Sequence, residues 1–427
     1  MEILQEARKQ LPYMVSQRRW FHTRPELSGK EDNTIAHIAG ELDKIGIRHV
    51  DVPKGGLLGF IDGTADSIGS PAGSPVVLLR ADVDALPIPE SECNLKQKRT
   101  CISSVSGVSH MCGHDGHMAM LLGAAGILSA HRDMFGGRII LMFERGEEGY
   151  FNVAYLHKYM RDNRIEPDTC WGMHTYAPLK TGQILIRSGA VMSGMIRFRI
   201  TLTGSGGHGA RPDLANSPVD CFAALYDGLS KLRLKCSSPF EPVTFSVGSV
   251  NSGFAGNVIP DDLTFSGTVR YFDMDTAMHF KAEMEKMIAG TAAAYGCRAD
   301  VYISDPCYPV INDGECADLA RKAVTGVLGP DALAGTEPWM VSETVSMSLK
   351  LWPGVFALLG IRNEELGSGA ENHSAQFDLD EEAFVCGAAA TVSYALTFLN
   401  DPVGTSSRKW SGTLEELYES AGVDMDP

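Results

Sequence analysis

Several features that would assign this chain to a specialised class of protein are missing from its sequence. The ten cysteines are scattered and contain no Cys-x-x-Cys pair, so we expect buried thiols in a reducing compartment and not a disulfide framework. The N-terminal segment has no apolar stretch typical of a signal peptide, and the apolar run around residues 118–130 is too short to span a bilayer. We therefore expect a soluble cytoplasmic protein with no membrane partner.

Positive charge is also scarce. Lys and Arg together number 37 against 53 Asp and Glu, which gives a formal net charge of −16. This balance argues against nucleic acid or an anionic membrane as the main partner, and an anionic substrate would need a local cation or a metal ion. The chain also shows no fixed-period repeat and no low-complexity tract.

What the chain does contain is an alternation of helical and extended patterns. With 427 residues it exceeds what one hydrophobic core usually serves, so two domains are expected. Residues 34–47 and 117–131 show helical patterns, whereas residues 75–84, 138–149 and 168–176 are apolar runs that end in acids or a histidine. Strands buried on both faces have such continuous apolar runs, so the alternation predicts an α/β fold with a mostly parallel sheet.

The pattern changes between about residues 191 and 304. Here strands of alternating polarity and two helical segments follow the order β-α-β-β-α-β, which is typical of a small α+β domain with an antiparallel sheet. From about residue 305 the earlier pattern returns, with an apolar run at 352–361 and a helical pattern at 380–399. We therefore predict a discontinuous domain formed by residues 1–190 and 305–427, into which the 191–304 domain is inserted.

Chemically active side chains follow the predicted strands directly. Asp82 and Asp84 end one apolar run, Glu147 and Glu148 follow another, and His174 lies at the end of a third. Because ligands of open α/β sheets bind beyond the carboxyl ends of the strands, three segments converge on one predicted site. Neighbouring glutamates point in different directions, so one can bind a metal while the other faces a water, although a solvated acidic turn is an alternative.

The stretch SHMCGHDGHMAMLLGAA, residues 109–125, adds further ligand-type groups. Cys112 and His114 stand two apart before a predicted helix, and a thiolate with an imidazole suits Zn²⁺ and related transition metals. Asp115 is interpreted as the N-cap of that helix or as an orienting partner of a histidine. A capped helix with an incidental thiol is one alternative. A thiol enzyme that uses Cys112 with His114 or His117 is another. It explains neither the paired glutamates nor a later histidine, His373, which the family resemblance below includes among the ligands.

Further motifs make the chain similar to one family. In order they are RRWFHTRPELSGKE, LRADVDALPI, MCGHDGHMAMLLGAA, EEG, GMHTY, GGHGARPD, NVIPDDLTFSGTVR and ENHSAQFDLDEEAF. Together they resemble the M20 metallopeptidase family, and in particular its subfamily D of aminoacylase-like, hippurate hydrolase-like and auxin-conjugate hydrolase-like amidohydrolases. The resemblance extends from about residue 10 to residue 397.

This resemblance implies roles for individual residues. Five side chains match the family's metal ligands: Cys112, His114, Glu148, His174 and His373. Glu147 matches the general base and Asp84 matches the acid that orients a ligand. Asp82 stands where other branches have a histidine ligand, so its role stays open.

The resemblance also implies that the inserted domain is a lid and dimerisation domain on a metallohydrolase catalytic domain. In it, His208, Asn257 and Arg270 match positions that meet the substrate, with His208 as a donor to the developing oxyanion. Arg270 offers a planar fork for a carboxylate, which fits a substrate whose leaving group is an amino acid. A homodimer or a larger homo-oligomer is expected.

The implied activity is a metal-dependent amidohydrolase that cleaves the amide bond of an N-acyl amino acid or a related small amide. The implied cofactors are two divalent ions, Zn²⁺, Mn²⁺ or Co²⁺, with Glu147 as the base that acts on a metal-activated water. A dipeptidase or carboxypeptidase on the same site is the nearest alternative. A non-catalytic metal-binding relative is a further alternative.

Two segments depart from the family's usual pattern. Before the paired glutamates the family usually has Gln-Pro-Ala, whereas this chain has Glu144, Arg145 and Gly146. In a later segment the family often has Glu-Asp-Phe, whereas this chain has Glu343, Thr344 and then valine. An arginine so close to the expected metal ions is predicted to alter the charge or shape of the pocket. Both departures bear on the substrate class and leave the ligand set intact.

Overall fold

The computed structural model describes residues 1–65, 74–149, 151–335 and 337–423. The chain divides into two compact units, and each is described by itself. Unit 1 comprises Met1–Val191, Ile311–Glu337 and Thr344–Leu414, and unit 2 comprises Met192–Val310, Pro338–Glu343 and Glu415–Pro427. This division differs from the one predicted from sequence, because residues 338–343 and the segment from Glu415 onwards group with the inserted part of the chain.

The described residues form ten α-helices, sixteen strands and four short 3₁₀ helices. The α-helices are α1 Ile3–Thr23, α2 Asp32–Lys44, α3 His114–Ala130, α4 Val153–Asp162, α5 Pro218–Cys236, α6 Met274–Ala294, α7 Gly314–Leu328, α8 Val345–Leu351, α9 Ala383–Asn400 and α10 Leu414–Ser420. The strands are β1 Arg48–Val52, β2 Gly56–Asp62, β3 Val76–Asp82, β4 Arg138–Glu144, β5 Thr169–Lys180, β6 Ile184–Leu185, β7 Gly189–Met192, β8 Gly194–Thr203, β9 Gly207–His208, β10 Thr244–Ser252, β11 Val258–Ile259, β12 Asp262–Tyr271, β13 Arg298–Ile303, β14 Val310–Asn312, β15 Leu333–Ala334 and β16 Gly354–Arg362.

Unit 1 is built around an eight-stranded sheet in the order β1-β2-β4-β3-β5-β16-β6-β15. The neighbours β4, β3, β5 and β16 run parallel to one another, and β1 and β2 join one edge in antiparallel fashion. The parallel strands are the apolar runs of the sequence, and they are buried along nearly their whole length. The predicted α/β fold with a mostly parallel central sheet is therefore confirmed.

Helices α3 and α9 are apolar on nearly all sides because both lie inside unit 1, where α3 packs on α1 and α9. Within the described ranges, α9 is the one helix long and apolar enough to cross a membrane by length and composition. Since 83% of its 18-residue window is buried inside the protein, α9 has the burial expected of a core helix.

Helix α1 was not predicted from the sequence, because its many charged residues hide a narrow apolar stripe. Its buried residues Ala7, Met14 and Phe21 recur every seven positions and pack into the core of unit 1. The contact with α3 is close, since a Cβ added at Gly123 would lie 2.5 Å from the Met14 Sδ atom. Glycine at this position lets the two helices approach.

Unit 2 contains a four-stranded antiparallel sheet in the order β10-β12-β8-β13. Helices α5 and α6 cover one face, and their apolar side chains form a separate core with those of β8 and β12. Ser217 and Asp273 cap the two helices by accepting hydrogen bonds from Asp220 N and Thr276 N. The chain order β8-α5-β10-β12-α6-β13 is the one predicted from sequence, with the short pair β9–β11 in addition.

Candidate metal centre

The candidate site lies at the carboxyl ends of the parallel strands of unit 1. Strand β3 ends at Asp82, the turn after β4 carries Glu147 and Glu148, and β5 carries His174. Because β4, β3 and β5 are parallel neighbours, these side chains lie on the same edge of the sheet. The loop after β16 carries His373.

The start of α3 places two further side chains at this edge. Gly113 precedes the helix with a φ of 88°, and a Cβ there would lie 2.3 Å from the Thr175 hydroxyl oxygen. Only glycine fits this left-handed turn against β5, and the turn directs Cys112 and His114 toward His174. Of the two interpretations of Asp115, the N-cap is wrong, since no side chain caps α3. Asp115 is instead the partner of a histidine, His22 of α1, and it also binds Arg18.

The structure brings five residues with the predicted ligand role into one cluster. The Cys112 sulfur lies 3.5 Å from His174 Nε2 and 3.3 Å from His373 Nε2. Glu148 Oε1 lies 3.1 Å from His373 Nε2 and 3.9 Å from His114 Nε2. Atoms at such separations can coordinate the same ion or two neighbouring ions.

Hydrogen bonds fix which nitrogen each buried histidine presents. His114 Nδ1 lies 2.9 Å from the Asp84 carbonyl oxygen, and His174 Nδ1 lies 2.7 Å from the Thr175 carbonyl oxygen. A carbonyl accepts only, so both Nδ1 atoms carry a proton, and Nε2 is the ring nitrogen that each histidine turns toward the cluster. His114 Nε2 and Glu148 Oε1 are among the buried side-chain atoms of the described residues for which no hydrogen bond of good geometry is found, and their neighbours include other atoms of the cluster, as expected for atoms that bind a cation.

Without an ion, the cluster retains protons. Burial disfavours the imidazolium of His114, but the carboxylates of Asp82, Asp84 and Glu148 outweigh it and raise the pKa to about 10. Burial, followed by the charges of Glu148 and Glu147, raises the pKa of the Cys112 thiol well above its usual value. A cation would replace these protons, so the donor set and the surrounding negative charge fit a divalent metal.

Asp82 and His117 are close to the cluster but have other partners. His117 Nε2 accepts a hydrogen bond from Thr175 N at 2.9 Å, and its Nδ1 donates to Asp82 Oδ1 at 2.6 Å. The other oxygen of Asp82 accepts from Arg80 Nη1 at 2.8 Å. We interpret Asp82 as a buried link between Arg80 and His117. Asp82 and His117 also form a second group of ligand-type atoms together with His114 and His174.

Asp84 holds two of the clustered residues in place. Its Oδ1 lies 3.2 Å from His114 Nδ1, and its Oδ2 accepts from Glu148 N at 2.9 Å and from the Ser28 hydroxyl. Hydrogen bonds, chiefly the one from His114, lower the pKa of Asp84 against the effect of its burial. Asp84 is thus in a position to orient His114, and its role in a reaction stays a prediction.

His373 lies at the exposed rim of the cluster. It has a φ of 66°, which is rare for a residue other than glycine, and its side chain is 49% exposed. Its backbone N–H donates to the Met111 carbonyl at 2.7 Å, which ties the loop to the segment before Cys112. Strained backbone of this kind persists where surrounding contacts hold a functional side chain.

Glu147 lies beside Glu148 and partly faces solvent. One of its carboxylate oxygens accepts a hydrogen bond from Thr344 N at 3.3 Å. Its charge contributes to the raised pKa of Cys112, so the carboxylate acts on the same site.

The observed partner of Arg145 is not one of the clustered residues, and its effect on the pocket stays a prediction. Its guanidinium donates to Asp32 Oδ1 at 2.6 Å, near the start of α2. Gly146 has a φ of 73°, and its N–H donates to Glu31 Oε1 at 2.9 Å. Glu144, the first of the three altered positions, is fully buried between Arg80 and Thr344.

The three predicted substrate residues lie in unit 2. His208 and Asn257 are exposed and adjacent, because β9 pairs with β11 and the Asn257 carbonyl accepts from Gly209 N. His208 Nδ1 accepts from Ala210 N at 3.0 Å, so its Nε2 carries the proton and can donate. Arg270 lies on β12 and donates to the Ser342 hydroxyl at 3.0 Å. Their contact with substrate stays a prediction.

Sequence reasoning missed the buried charges that support the cluster. Arg18 donates to Asp115 at 2.8 Å, and Arg80 donates to Glu144 at 2.7 Å, with both arginines almost fully buried. A signal was present for Arg80, since a charge in the apolar run PVVLLRADVD needs a buried partner. The partner itself lies on another segment and could not be deduced from that run.

Comparisons with known proteins show the family of this chain. A model of peptidase family M20/M25/M40 matches residues 78–397. The IAA-amino acid hydrolase ILR1-like 2 of Arabidopsis thaliana is 35% identical over 411 residues, which cover 95% of this chain and 89% of that protein. Thermostable carboxypeptidase 2 of Saccharolobus solfataricus is 32% identical over 392 residues, covering 91% of this chain and 96% of that protein.

A solved structure shows the same architecture. The Bacillus subtilis YXEP protein, described as a dinuclear metal binding peptidase from the M20 family, superposes with a TM-score of 0.74 at 27% identity. The superposition covers 93% of this chain and 100% of that one. From the family match, the relatives and the fold, this chain belongs to peptidase family M20/M25/M40 and is a metal-dependent hydrolase of amide bonds.

Proposed function

We propose that this protein hydrolyses the amide bond of N-acyl amino acids with the help of two divalent ions, Zn²⁺, Mn²⁺ or Co²⁺. Cys112, His114, Glu148, His174 and His373 would hold the ions. The observation that carries the proposal is the cluster of these five residues beside the carboxylate of Glu147, in which the buried atoms His114 Nε2 and Glu148 Oε1 have no hydrogen bond of good geometry.

Bound ions of this kind lower the pKa of a coordinated water and polarise a carbonyl group. Glu147 would take a proton from the attacking water on a carboxylate oxygen and later give it to the leaving amine. Asp84 keeps the proton of His114 on Nδ1, so that Nε2 faces the cluster.

The proposed substrate class rests on two observations. The Arabidopsis relative is named for the hydrolysis of an amino acid conjugate, and it matches this chain over nearly its full length. Arg270, which is partly buried in unit 2, has a planar guanidinium suited to the carboxylate of an amino acid. His208, with its proton on Nε2, has the tautomer required to donate to an oxyanion.

A carboxypeptidase activity is the second candidate. It is supported by the Saccharolobus solfataricus carboxypeptidase, whose length is covered to 96%. Both activities release an amino acid with a free carboxylate, so they differ only in the acyl side of the substrate. We further propose that the protein is cytoplasmic and forms a homodimer.

The test combines metal analysis with substrate ranking. Purified protein loaded with Zn²⁺, Mn²⁺ or Co²⁺ is expected to retain two ions per chain, and His174→Ala is expected to reduce that number. The loaded protein is then assayed with N-acetyl amino acids, N-benzoyl amino acids and dipeptides, and N-acyl amino acids should have the highest kcat/KM.

Three results would contradict the proposal. No stoichiometric metal in the wild-type protein would remove the catalytic centre. Preference for dipeptides would favour the carboxypeptidase. Activity that resists chelators but is lost on alkylation of Cys112 would favour a thiol enzyme.

A further inference from the structure

Glu144 is a buried acid that the proposed reaction does not use. It is the last residue of β4 and is fully buried. Its Oε2 accepts from Arg80 Nε at 2.7 Å, and its Oε1 accepts from the Thr344 hydroxyl. With both oxygens engaged in this way, Glu144 is a poor candidate for a second proton acceptor.

Arg80 connects Glu144 with the cluster. Its side chain is 1% exposed, and it faces two carboxylates, Glu144 through Nε and Asp82 through Nη1 at 2.8 Å. A third donor atom, Nη2, lies 3.2 Å from the Thr344 hydroxyl oxygen. A planar guanidinium with several fixed donors therefore holds Glu144 and Thr344 in one arrangement.

Thr344 contacts one glutamate with its side chain and another with its backbone. Its hydroxyl donates to Glu144, and its backbone N–H donates to Glu147 Oε1 at 3.3 Å. Thr344 directly precedes α8, and its conformation is helical. The contact of the hydroxyl with Glu144 therefore helps to hold the peptide that carries this N–H against Glu147.

We propose that Glu144 is a positioning residue that sets the carboxylate of Glu147 through Thr344. This inference rests on the proposed function, because it gives Glu147 the role of the base. The chain of contacts runs from Arg80 to Glu144, from Glu144 to the Thr344 hydroxyl, and from the Thr344 N–H to Glu147.

The contact joins two elements of unit 1. The acid is the last residue of β4, and the hydroxyl residue directly precedes α8. One acid and one neutral hydrogen-bonding side chain therefore face each other, and the two groups can be exchanged.

The experiment exchanges the two groups in the full-length, metal-loaded protein, with N-acetyl amino acids as substrates. Glu144→Gln and Thr344→Val should each lower kcat by about tenfold to a hundredfold, the scale of one hydrogen bond to a charged group, while KM changes less. Thr344→Asp should lose more than Thr344→Val, because it faces a second carboxylate across the contact. The double variant Glu144→Gln/Thr344→Asp should recover most of the kcat lost by Thr344→Asp alone.

Two controls separate positioning from general damage. Thr344→Ser keeps the hydroxyl and should retain about tenfold more kcat than Thr344→Val. Asp313→Asn removes the charge of another partly buried carboxylate, the partner of Arg408, and it should lower the melting temperature without a selective effect on kcat. In metal-free protein, the melting-temperature losses of Glu144→Gln and Thr344→Val should be less than additive when the two changes are combined.

The outcomes decide between the claims. If the wild type hydrolyses the substrates but Glu144→Gln keeps its kcat, or if the exchanged double variant recovers nothing, the positioning role is wrong. Additive losses of melting temperature in the metal-free protein would also overturn it. If the wild type cleaves no amide, the proposed function is wrong, and the positioning role that rests on it is wrong as well.

Discussion

At the scale of single residues, the centre depends on which atom of each side chain is left without a partner. His114 and His117 are three positions apart on α3, yet His114 Nε2 faces the cluster and His117 Nε2 accepts the Thr175 N–H. An aspartate lies beside Nδ1 in both histidines, so the difference follows from the Thr175 N–H, which occupies only the Nε2 atom of His117. A ligand-type residue therefore becomes a candidate ligand only after its other hydrogen bonds are counted.

The replacement Glu147→Gln tests the proposed base. Glutamine has the same shape but cannot take a proton, so kcat should fall by roughly 10²–10⁴-fold, the contribution typical of a positioned general base. Metal content should stay at the wild-type value, because the five clustered residues are unchanged. Stopped assays on metal-loaded protein measure the first quantity and elemental analysis measures the second. Retention of most of the activity with full metal content would exclude Glu147 as the base.

At the scale of secondary-structure elements, buried charges connect helix α1 to the start of α3. Arg18 and His22 of α1 lie 2.8 Å and 2.7 Å from Asp115 Oδ2, and none of the three side chains is exposed by more than 4%. Since His114 is the first residue of α3 and Asp115 is the second, this contact holds the start of the helix that carries a predicted ligand. Two adjacent arginines with different burial allow a test.

Arg18→Met should lower the free energy of unfolding by about 3–5 kcal/mol, because it leaves Asp115 buried without its main cation. Arg19→Met is the matched control. Arg19 is 45% exposed and pairs with Glu381 at the surface, so its loss should cost about 0–1 kcal/mol. Urea unfolding of both variants measures the difference. Equal losses would mean that the Arg18–Asp115 pair contributes no more than a surface ion pair.

Helices α4 and α8 are joined by a buried histidine that should make stability depend on pH. His157 Nε2 lies 2.9 Å from the Ser348 hydroxyl oxygen, and burial lowers the pKa of His157 to about 3. The unfolded chain binds a proton at its ordinary pKa of about 6.5, whereas the folded protein does not, so stability falls as the pH drops from about 6.5 toward 3.

His157→Gln, which cannot titrate, should remove this part of the pH dependence. Between pH 7.5 and pH 5 the wild type should lose roughly 2 kcal/mol more unfolding free energy than the variant. Urea titrations at the two pH values measure the difference between the proteins, in which the effects of other groups cancel. Parallel losses in both proteins would show that His157 does not titrate in this way.

At the scale of the whole molecule, unit 2 carries the residues predicted to meet the substrate. If Arg270 binds the substrate carboxylate, Arg270→Ala should cost roughly 1.5–3 kcal/mol in kcat/KM for a free-acid substrate, the scale of a hydrogen bond to a charged group. An amidated analogue should lose much less, because it has no carboxylate. Kinetics with both substrates test the prediction. Equal losses would give Arg270 a structural role only, such as its contact with Ser342.

The antiparallel sheet of unit 2 offers a surface for the predicted homodimer. Strand β10 is an edge strand without a charged residue, whereas the opposite edge strand β13 carries Arg298 and Asp300. Charged residues discourage pairing between sheet edges, so β10 is the favoured edge for a second copy. Val250→Lys should therefore convert the dimer to a monomer in sedimentation velocity. Val301→Lys on β13, at similar exposure, should leave it dimeric. Dissociation by Val301→Lys alone would reverse the assignment.

The sequence by itself determined where the buried strands and their covering helices lie, and which types of side chain follow the strands. Apolar runs such as Ile139–Phe143 are strands that are buried on both faces. The positions of these strands, and of the acids at their carboxyl ends, were therefore predictable. The alternating strands of residues 191–304 likewise predicted a second unit, and the helical periods of α5 and α6 predicted its two covering helices. These signals are local, because they depend on the spacing of residues along one segment.

The tertiary structure alone decided which polar groups remain available. The sequence could not show that Asp84 fixes the tautomer of His114, that Arg145 binds Asp32, or that Glu144 meets Thr344. The burial of Arg18 of α1 against Asp115, which lies far along the chain, was likewise not predictable from one segment. Hydrogen-bond partners and burial depend on segments far apart in the chain. Each side chain's remaining donor, acceptor or lone pair is therefore set only when those segments meet.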